Sequence, residues 1–283
     1  MVKKKKVIEP QYYTSATMMQ TLNYKVYYMS FKEKIMYFML AFIVGAVVGY
    51  IFYGGIGKDE FGNSTTTTYI LNTIFMVITG LIAGKLFLPI RVEQLRDKRL
   101  NTLRLQFREL LDSLCSSLEG GKNIVDSFKM AEHDMETLYG TESFIQNEIR
   151  VILSGLANNN AIEQMLLDFG SRSGIDDIVN FANVFDTCYR SGGNIRDVIL
   201  NTKQIINDKM EVELEIQTVV ASSKMEQNIM TVMPIGIIAL IKLSNPDLAK
   251  NYGTPAGIIV TTISIVIFVV SALVAKIVLK VKI

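Results

Sequence analysis

Apolar residues along the chain gather into four blocks, with a long polar stretch between the second and the third. The blocks run from about Ile35 to Ile56, Tyr69 to Ile90, Ile229 to Leu243 and Ala256 to Leu279. A helix rises 1.5 Å per residue, so crossing a ~30 Å hydrocarbon core takes about 20 residues. The first, second and fourth blocks reach that length. The third is shorter, but the helical pattern before it is unbroken, so the helix can enter the bilayer from the Val219 region. Flanks of one charge character at both ends also require an even number of crossings. Four spans are predicted.

Between the second and third blocks the pattern is helical throughout, with no alternation long enough for a strand. Leu100, Leu103, Phe107, Leu110, Leu111, Leu114 and Leu118 share one stripe, while Arg104, Arg108, Glu109 and Asp112 lie off it. Further on, Val198, Ile205, Val212 and Val219 recur every seventh residue, supported by Ile199, Ile206, Ile216 and Val220. No proline falls between Pro89 and Pro234. Breaks near Gly120-Gly121, Gly140, Asn158–Asn160, Gly174 and Gly192-Gly193 divide the stretch into six predicted helices. Three starts share one plan: Asn123 with Asp126, Asn160 with Glu163, and Asn194 with Asp197. Each reads as an asparagine N-cap followed by an acid facing the positive end of the helix dipole. The spacing of about 35 residues between repeats is that of stacked helical hairpins.

The fold class predicted is all-α: a polytopic membrane protein with four transmembrane helices and a cytoplasmic six-helix domain. Its parts are a basic leader (1–34), a transmembrane hairpin (35–90, external loop 57–68), a helical domain (91–228) and a second hairpin (229–283, external loop 244–255). Of the 283 residues, 49% are hydrophobic, and the mean hydropathy of +0.29 is high for a soluble protein.

Charge sets the direction of insertion. The leader holds Lys3, Lys4, Lys5, Lys6, Lys25, Lys32 and Lys34, and the last span is followed by Lys280 and Lys282. After the second span comes a collar of Arg91, Arg96, Lys98, Arg99, Arg104 and Arg108. The two short connectors carry one lysine each, Lys58 and Lys250. By the positive-inside rule both termini and the middle domain face the cytoplasm. More than twenty mixed residues separate the first lysines from the first apolar run, which is not the order of a cleaved signal.

Residues 91–228 hold 15 Lys and Arg against 22 Asp and Glu, a net of −7. The basic residues crowd near the membrane, where they suit anionic lipid headgroups. The remainder is acidic, which excludes nucleic acid as a partner and suits a basic protein. Glu132, Glu136, Asp176, Asp126, Glu163 and Asp197 are the candidate contact residues, the last three with a helix-capping role as the plainer reading. Pro234, alone in the third span, predicts a local bend, because proline removes one ladder bond and clashes with the preceding turn.

Signals for chemistry are few. His133, the only histidine, sits among polar residues with no metal-ligand spacing. Cys115 and Cys188 form neither a disulfide framework nor a zinc motif and read as free thiols. Gly57-Lys58 and Gly84-Lys85 lack the Ser or Thr of a phosphate loop. No enzyme activity and no cofactor are expected. Lys85, Lys242 and Lys276 lie inside apolar blocks; each is near enough to a span's end to snorkel to the headgroups. Gly45-x-x-x-Gly49 and Gly80-x-x-x-Gly84 permit close helix packing.

The run from Leu103 to Gly121 (LRLQFRELLDSLCSSLEGG), followed by Asn123-Ile124, resembles the opening of the type II secretion system F domain. The stretch Tyr189 to Leu200 (YRSGGNIRDVIL) resembles its second signature. The layout, with a Ser244 to Asp247 turn between the last spans, is similar to the TadB-like branch, and the resemblance covers about Leu100 to the C-terminus. Members often carry Pro-Asp where this chain reads Arg108-Glu109. The leader has no counterpart, and the domain occurs once where related proteins carry it twice. The resemblance implies an inner-membrane platform of a type IV filament machine, such as a Tad pilus or type II secretion system. It implies as partners a cytoplasmic secretion ATPase, pilin subunits, membrane lipids and a second copy or paralogous platform subunit, in the bacterial cytoplasmic membrane. A membrane-anchored scaffold or sensor would share these features. A small secondary transporter would need intramembrane polar sites, for which only Thr261, Thr262 and Ser264 offer themselves.

Overall fold

The computed structural model describes residues 10–14, 19–56, 64–244 and 254–278; the side chains at 255, 272, 273 and 276–278 lie outside that description. It is all-helical apart from one small hairpin, in which β1 (Tyr12–Thr14) pairs antiparallel with β2 (Gln20–Leu22). The helices are α1 (Phe31–Tyr53), α2 (Thr66–Glu119), α3 (Ile124–Tyr139), α4 (Phe144–Ala157), α5 (Ile162–Ser173), α6 (Asp176–Arg190), α7 (Ile195–Ser244) and α8 (Pro255–Val278). Helix therefore replaces the Thr66–Thr68 end of the first predicted connector. The rest of that connector from 57 to 63, the turn residues 245–247, and the lysines at 3–6, 58, 250, 280 and 282 lie outside the described residues.

The chain forms two compact units, residues 1–28 with 92–212 and residues 29–91 with 213–283.

In the first unit the leucine stripe of α2 is the core. Leu103, Phe107, Leu110, Leu111 and Leu114 are buried with Phe128 of α3, Ile149 of α4, Phe169 of α5, Phe181 and Phe185 of α6, and Ile199 and Ile206 of α7. Each such side chain contributes roughly 1.5–3 kcal/mol on leaving water. Phe107 meets Phe169 and Phe181 edge-on, at 6.1 and 5.5 Å between ring centroids, the geometry that sets the positive ring edge against a negative face. The breaks fall at the glycine and asparagine positions. Asn123 caps α3 by accepting from the Asp126 amide, and Asn194 accepts from the Arg196 amide.

Two expectations are corrected. Asn160 is not a cap: Ala161 takes that position, and its methyl group offers no acceptor. The chain turns there through Asn159, which has a positive φ of 58°. The seven-residue stripe of α7 is not the core face either. Ile199 and Ile206 are fully buried, while Ile205, Val212 and Val219 are 53%, 49% and 72% exposed. The face is chosen by α2, which runs alongside α7 in this unit. Arg196 pairs with Glu119 at 3.2 Å, Lys203 with Asp112, and Arg108 reaches the Met210 sulfur at 3.9 Å. These partners step in opposite senses along the two helices at one- to two-turn intervals, so the segments are antiparallel and the supporting isoleucines face inward.

In the second unit, α1 and the first part of α2 pack through glycines. A Cβ on Gly45 would lie 2.5 Å from the Ala83 Cβ, one on Gly80 would lie 2.8 Å from the Phe42 ring, and one on Gly49 would collide with the Thr79 hydroxyl. Close backbone approach of this kind replaces the hydrophobic drive that lipid does not supply. At the other end of this pair the Tyr53 ring stacks on Phe75 at 4.7 Å. Its hydroxyl is 3.0 Å from that of Thr262 on α8. Lys242 of α7 donates to the carbonyl oxygens of Phe52 and Gly54, at 3.1 and 3.0 Å, and so caps the C-terminus of α1. That contact replaces the snorkelling expected of Lys242. Lys85 is exposed, as snorkelling requires, and the Lys276 side chain lies outside the described residues.

Among the described residues three helices, α1, α2 and α7, are long and apolar enough to cross a membrane. The described apolar part of α8, Ala256–Ser271, is shorter. Pro89 and Pro234 both lie within continuous helix.

Candidate functional site

The first unit holds a cluster of buried, mutually bonded polar side chains. Glu148, on the buried side of α4, accepts two parallel hydrogen bonds from Arg172 of α5, at 2.8 and 2.7 Å. The same guanidinium donates to Asp168 at 2.8 Å, one helical turn earlier. The Tyr24 hydroxyl completes the cluster by donating to Glu148 at 2.8 Å. Arg172 and Glu148 are 4% and 3% exposed at the side chain.

Burial would lower the Arg172 pKa, but hydrogen bonds and charge from Glu148 and Asp168 outweigh it and hold the guanidinium protonated. Burial, with the Glu148 charge and hydrogen bond, pushes the Tyr24 phenol well above its ordinary value. The Tyr24 amide donates to the Arg172 carbonyl at 3.2 Å, and Lys25 crosses Gly174 so closely that a Cβ there would sit 2.6 Å from the lysine Cγ. Gly174 also ends α5 in the left-handed region, at φ 66°, so glycine is required twice over. Residues 22–25 of the leader thus pack into the helical unit, which no local sequence signal announced.

Asp177, buried at the start of α6, is a second centre. Arg104 of α2 approaches it at 3.2 Å, and Lys209 of α7 pairs with its other oxygen.

The predicted contact acids are distributed as follows. Glu132 and Glu136, one turn apart on α3, both face Arg150 of α4, at 3.7 and 3.9 Å. Asp126, at the start of α3, is exposed and held by Asn123 and Lys129 at 2.8 and 3.0 Å; hydrogen bonds from Lys129 and Asn123 lower its pKa. Asp197 is exposed and bonded by the Asn194 amide group at 2.8 Å. Asp176 is exposed beside the buried Asp177, whereas Glu163 is half-buried with one carboxylate oxygen fully out of solvent. The structure thus joins Glu132 to Glu136 through Arg150 and places the other four at four separate helix starts, those of α3, α5, α6 and α7. Exposed Met130, Leu138 and Tyr139 on α3 add an apolar component that charge counting had missed.

The predicted collar is largely committed within the protein. Arg91 lies over the Tyr37 ring at 4.9 Å. Arg96 pairs with Asp97 at 2.7 Å. Arg99 lies over the Tyr27 ring at 4.5 Å and donates to the Val26 carbonyl at 3.4 Å. Arg104 is bound to Asp177 and Arg108 to Glu109. Lys98 is exposed.

No group of His, Cys, Asp and Glu among the described residues is arranged to hold a metal ion. Cys115 is buried and its thiol pKa is raised by that burial. No family model, no curated protein and no solved structure matches the chain.

Proposed function

We propose that the chain is an inner-membrane platform protein of a type IV filament machine, coupling a cytoplasmic secretion ATPase to the extraction and assembly of pilin subunits. In this reading α1, the first part of α2, the last part of α7 and α8 are four spans. Both termini and the helical unit face the cytoplasm, as the lysine and arginine distribution directs. The protein itself is not an enzyme. The ATPase supplies the energy, and a paralogous subunit or second copy completes the platform.

One observation carries the proposal. α2 and α7 each continue as single helices, of 54 and 50 residues, from an apolar segment of membrane length into the charged helical unit. A helix continuous across both segments offers a direct path for displacement, which a coupling protein needs and a catalyst does not. The resemblance of the 103–124 and 189–200 stretches to the type II secretion F domain, and the acidic surface of the helical unit, support the same reading.

The test is copurification from the native membrane. The platform reading expects a hexameric ATPase and pilins to accompany the tagged chain, and the triple reversal Glu132→Lys, Glu136→Lys and Asp176→Lys to release the ATPase while the protein stays folded. An ATPase retained undiminished by that variant would remove the acidic surface from the mechanism. A chain that brings down neither partner would end the proposal.

A further inference from the structure

Of the six collar side chains, Arg96, Arg104 and Arg108 are neutralised by carboxylates, and Arg99 is enclosed between Tyr27 and a backbone carbonyl. Lys98 is left open in the collar, and three further open cations lie at the start of α1 and on the part of α2 that packs against it. Lys32, Lys34 and Lys85 are exposed, and none makes an ion pair among the described residues. Glu33, the acid between the first two, accepts the Ser30 amide at 2.9 Å as a helix cap.

The α1–α2 packing brings these lysines to one end of the pair. Gly84 abuts the Phe38 ring, since a Cβ there would lie 2.5 Å from it, and Arg91 reaches the Tyr37 hydroxyl at 3.4 Å. Lys85 is therefore one residue from the level of Phe38, and Lys34 four residues before it, roughly 6 Å along the axis. Directly beyond them both helices expose apolar side chains: Ile35, Met36, Met39 and Leu40 on α1, Ile82 and Leu86 on α2. Phe31, 76% exposed, marks the polar edge.

We propose that Lys32, Lys34 and Lys85, at one end of the helix pair, bind the phosphates of anionic phospholipids whose acyl chains cover the apolar surface beside them. The proposal rests on the membrane part of the platform reading. Its chemistry is two-sided. Ammonium groups on flexible stems attract phosphate at an interface, and exposed apolar helix surface needs acyl chains. Free phosphate would satisfy only the first requirement. A second copy of this end would set cations against cations.

The experiment uses the full chain, delipidated in a neutral detergent. It is titrated with phosphatidylglycerol or phosphatidylcholine, and retained lipid is counted by native mass spectrometry. The expected preference for phosphatidylglycerol is about fivefold per lysine at low salt, declining as salt screens it. Lys32→Gln, Lys34→Gln and Lys85→Gln together abolish the preference. The same three changes to Arg retain it, and Lys122→Gln, at an exposed position of the other unit, leaves it unchanged. Equal retention of both lipids overturns the proposal, as does a preference that survives the triple Gln variant. Displacement of phosphatidylglycerol by inorganic phosphate would make this a plain anion site. None of these outcomes depends on whether an ATPase copurifies, so the proposal and the platform reading can fail separately.

Discussion

Arg172 and Glu148 face each other through two parallel hydrogen bonds of 2.7 and 2.8 Å, with less than a twentieth of either side chain exposed. The pair joins α5 to α4, and Tyr24 of the leader seals it by bonding the same carboxylate. Two desolvated charges are tolerated only when each is matched in geometry and its remaining donors and acceptors are filled. Asp168, Tyr24 and the Leu22 carbonyl, 3.4 Å from Arg172, supply those partners.

Removing one charge should therefore cost more than the pair is worth intact. Glu148→Gln leaves Arg172 buried with Asp168 as its only carboxylate, at an expected cost of about 3 kcal/mol, or a fall in Tm of about 6–12 °C. Tyr24→Phe removes one bond to a charged acceptor and should cost about 1.5–2 kcal/mol. Circular dichroism melts of the full chain in detergent measure both. A Glu148→Gln protein that melts with the wild type would mean the pair is solvated in solution.

Alkaline pH should loosen the same contact. The folded state holds the Tyr24 proton more tightly than the unfolded state does. The stabilisation is thus complete below the ordinary tyrosine pKa of about 10 and declines above it, by up to about 1.4 kcal/mol per pH unit. Burial raises the Cys115 thiol in the same direction, with its decline beginning at the lower ordinary cysteine value. Tm should hold steady from pH 7 to 8 and fall beyond pH 10, less steeply in Tyr24→Phe. Equal slopes in the two proteins would show that Tyr24 is accessible to hydroxide.

What the sequence could disclose followed the range of the interaction. Helix breaks at Gly120-Gly121, Gly174 and Gly192-Gly193, and caps at Asn123 and Asn194, are set by neighbours a few residues away. The α2 stripe from Leu103 to Leu114 was equally plain, because a buried helix writes its own period. Asn160 misled because the cap position depends on where the chain turns, and Asn159 turns it one residue late. The seven-residue recurrence on α7 was real in sequence but exposed in space: Lys203 and Arg196 had to meet Asp112 and Glu119 before the inward face was decided. Tyr24 and Glu148, 124 residues apart, offered no local sign. For the candidate contact acids, charge was legible but intramolecular partners such as Arg150 were not.

Glycine substitutions separate packed from open helix surface in the second unit. Gly49→Ala would drive its Cβ into the Thr79 hydroxyl, and the resulting overpacking should cost about 1–3 kcal/mol. Gly236 of α7 has nothing within 4 Å of a built Cβ. Gly236→Ala should be neutral or stabilising by up to about 1 kcal/mol, since alanine is the better helix former. Melts of the two variants in one detergent decide it. Equal tolerance at both positions would mean that α1 and α2 are not held together at Gly49.

The continuity of α7 gives the platform reading its most direct mechanical test. The helix runs unbroken from Ile195 to Ser244, a length of roughly 75 Å. Pro234 lies inside it, where the missing amide softens the ladder locally; residues 195–233 keep their full complement of backbone donors. Two glycines inserted between Lys209 and Glu215 would leave Lys203 and Lys209 with their partners in the first unit. Each glycine costs about 1 kcal/mol in a helix, and two added residues turn everything beyond them by about 200°. In the proposed mechanism the variant inserts, melts its helical unit normally and retains the ATPase, yet assembles no filament, because a push on the helical unit no longer reaches the apolar segment in register. Inserting seven alanines at the same place is the matched control: it lengthens the helix by roughly 10 Å but shifts the register by only about 20°. Partial assembly is expected from it if register carries the signal. Normal assembly by the glycine variant, at matched expression, would show that α7 is not the transmission element and would move that role to α2, the other helix continuous from apolar segment to charged unit.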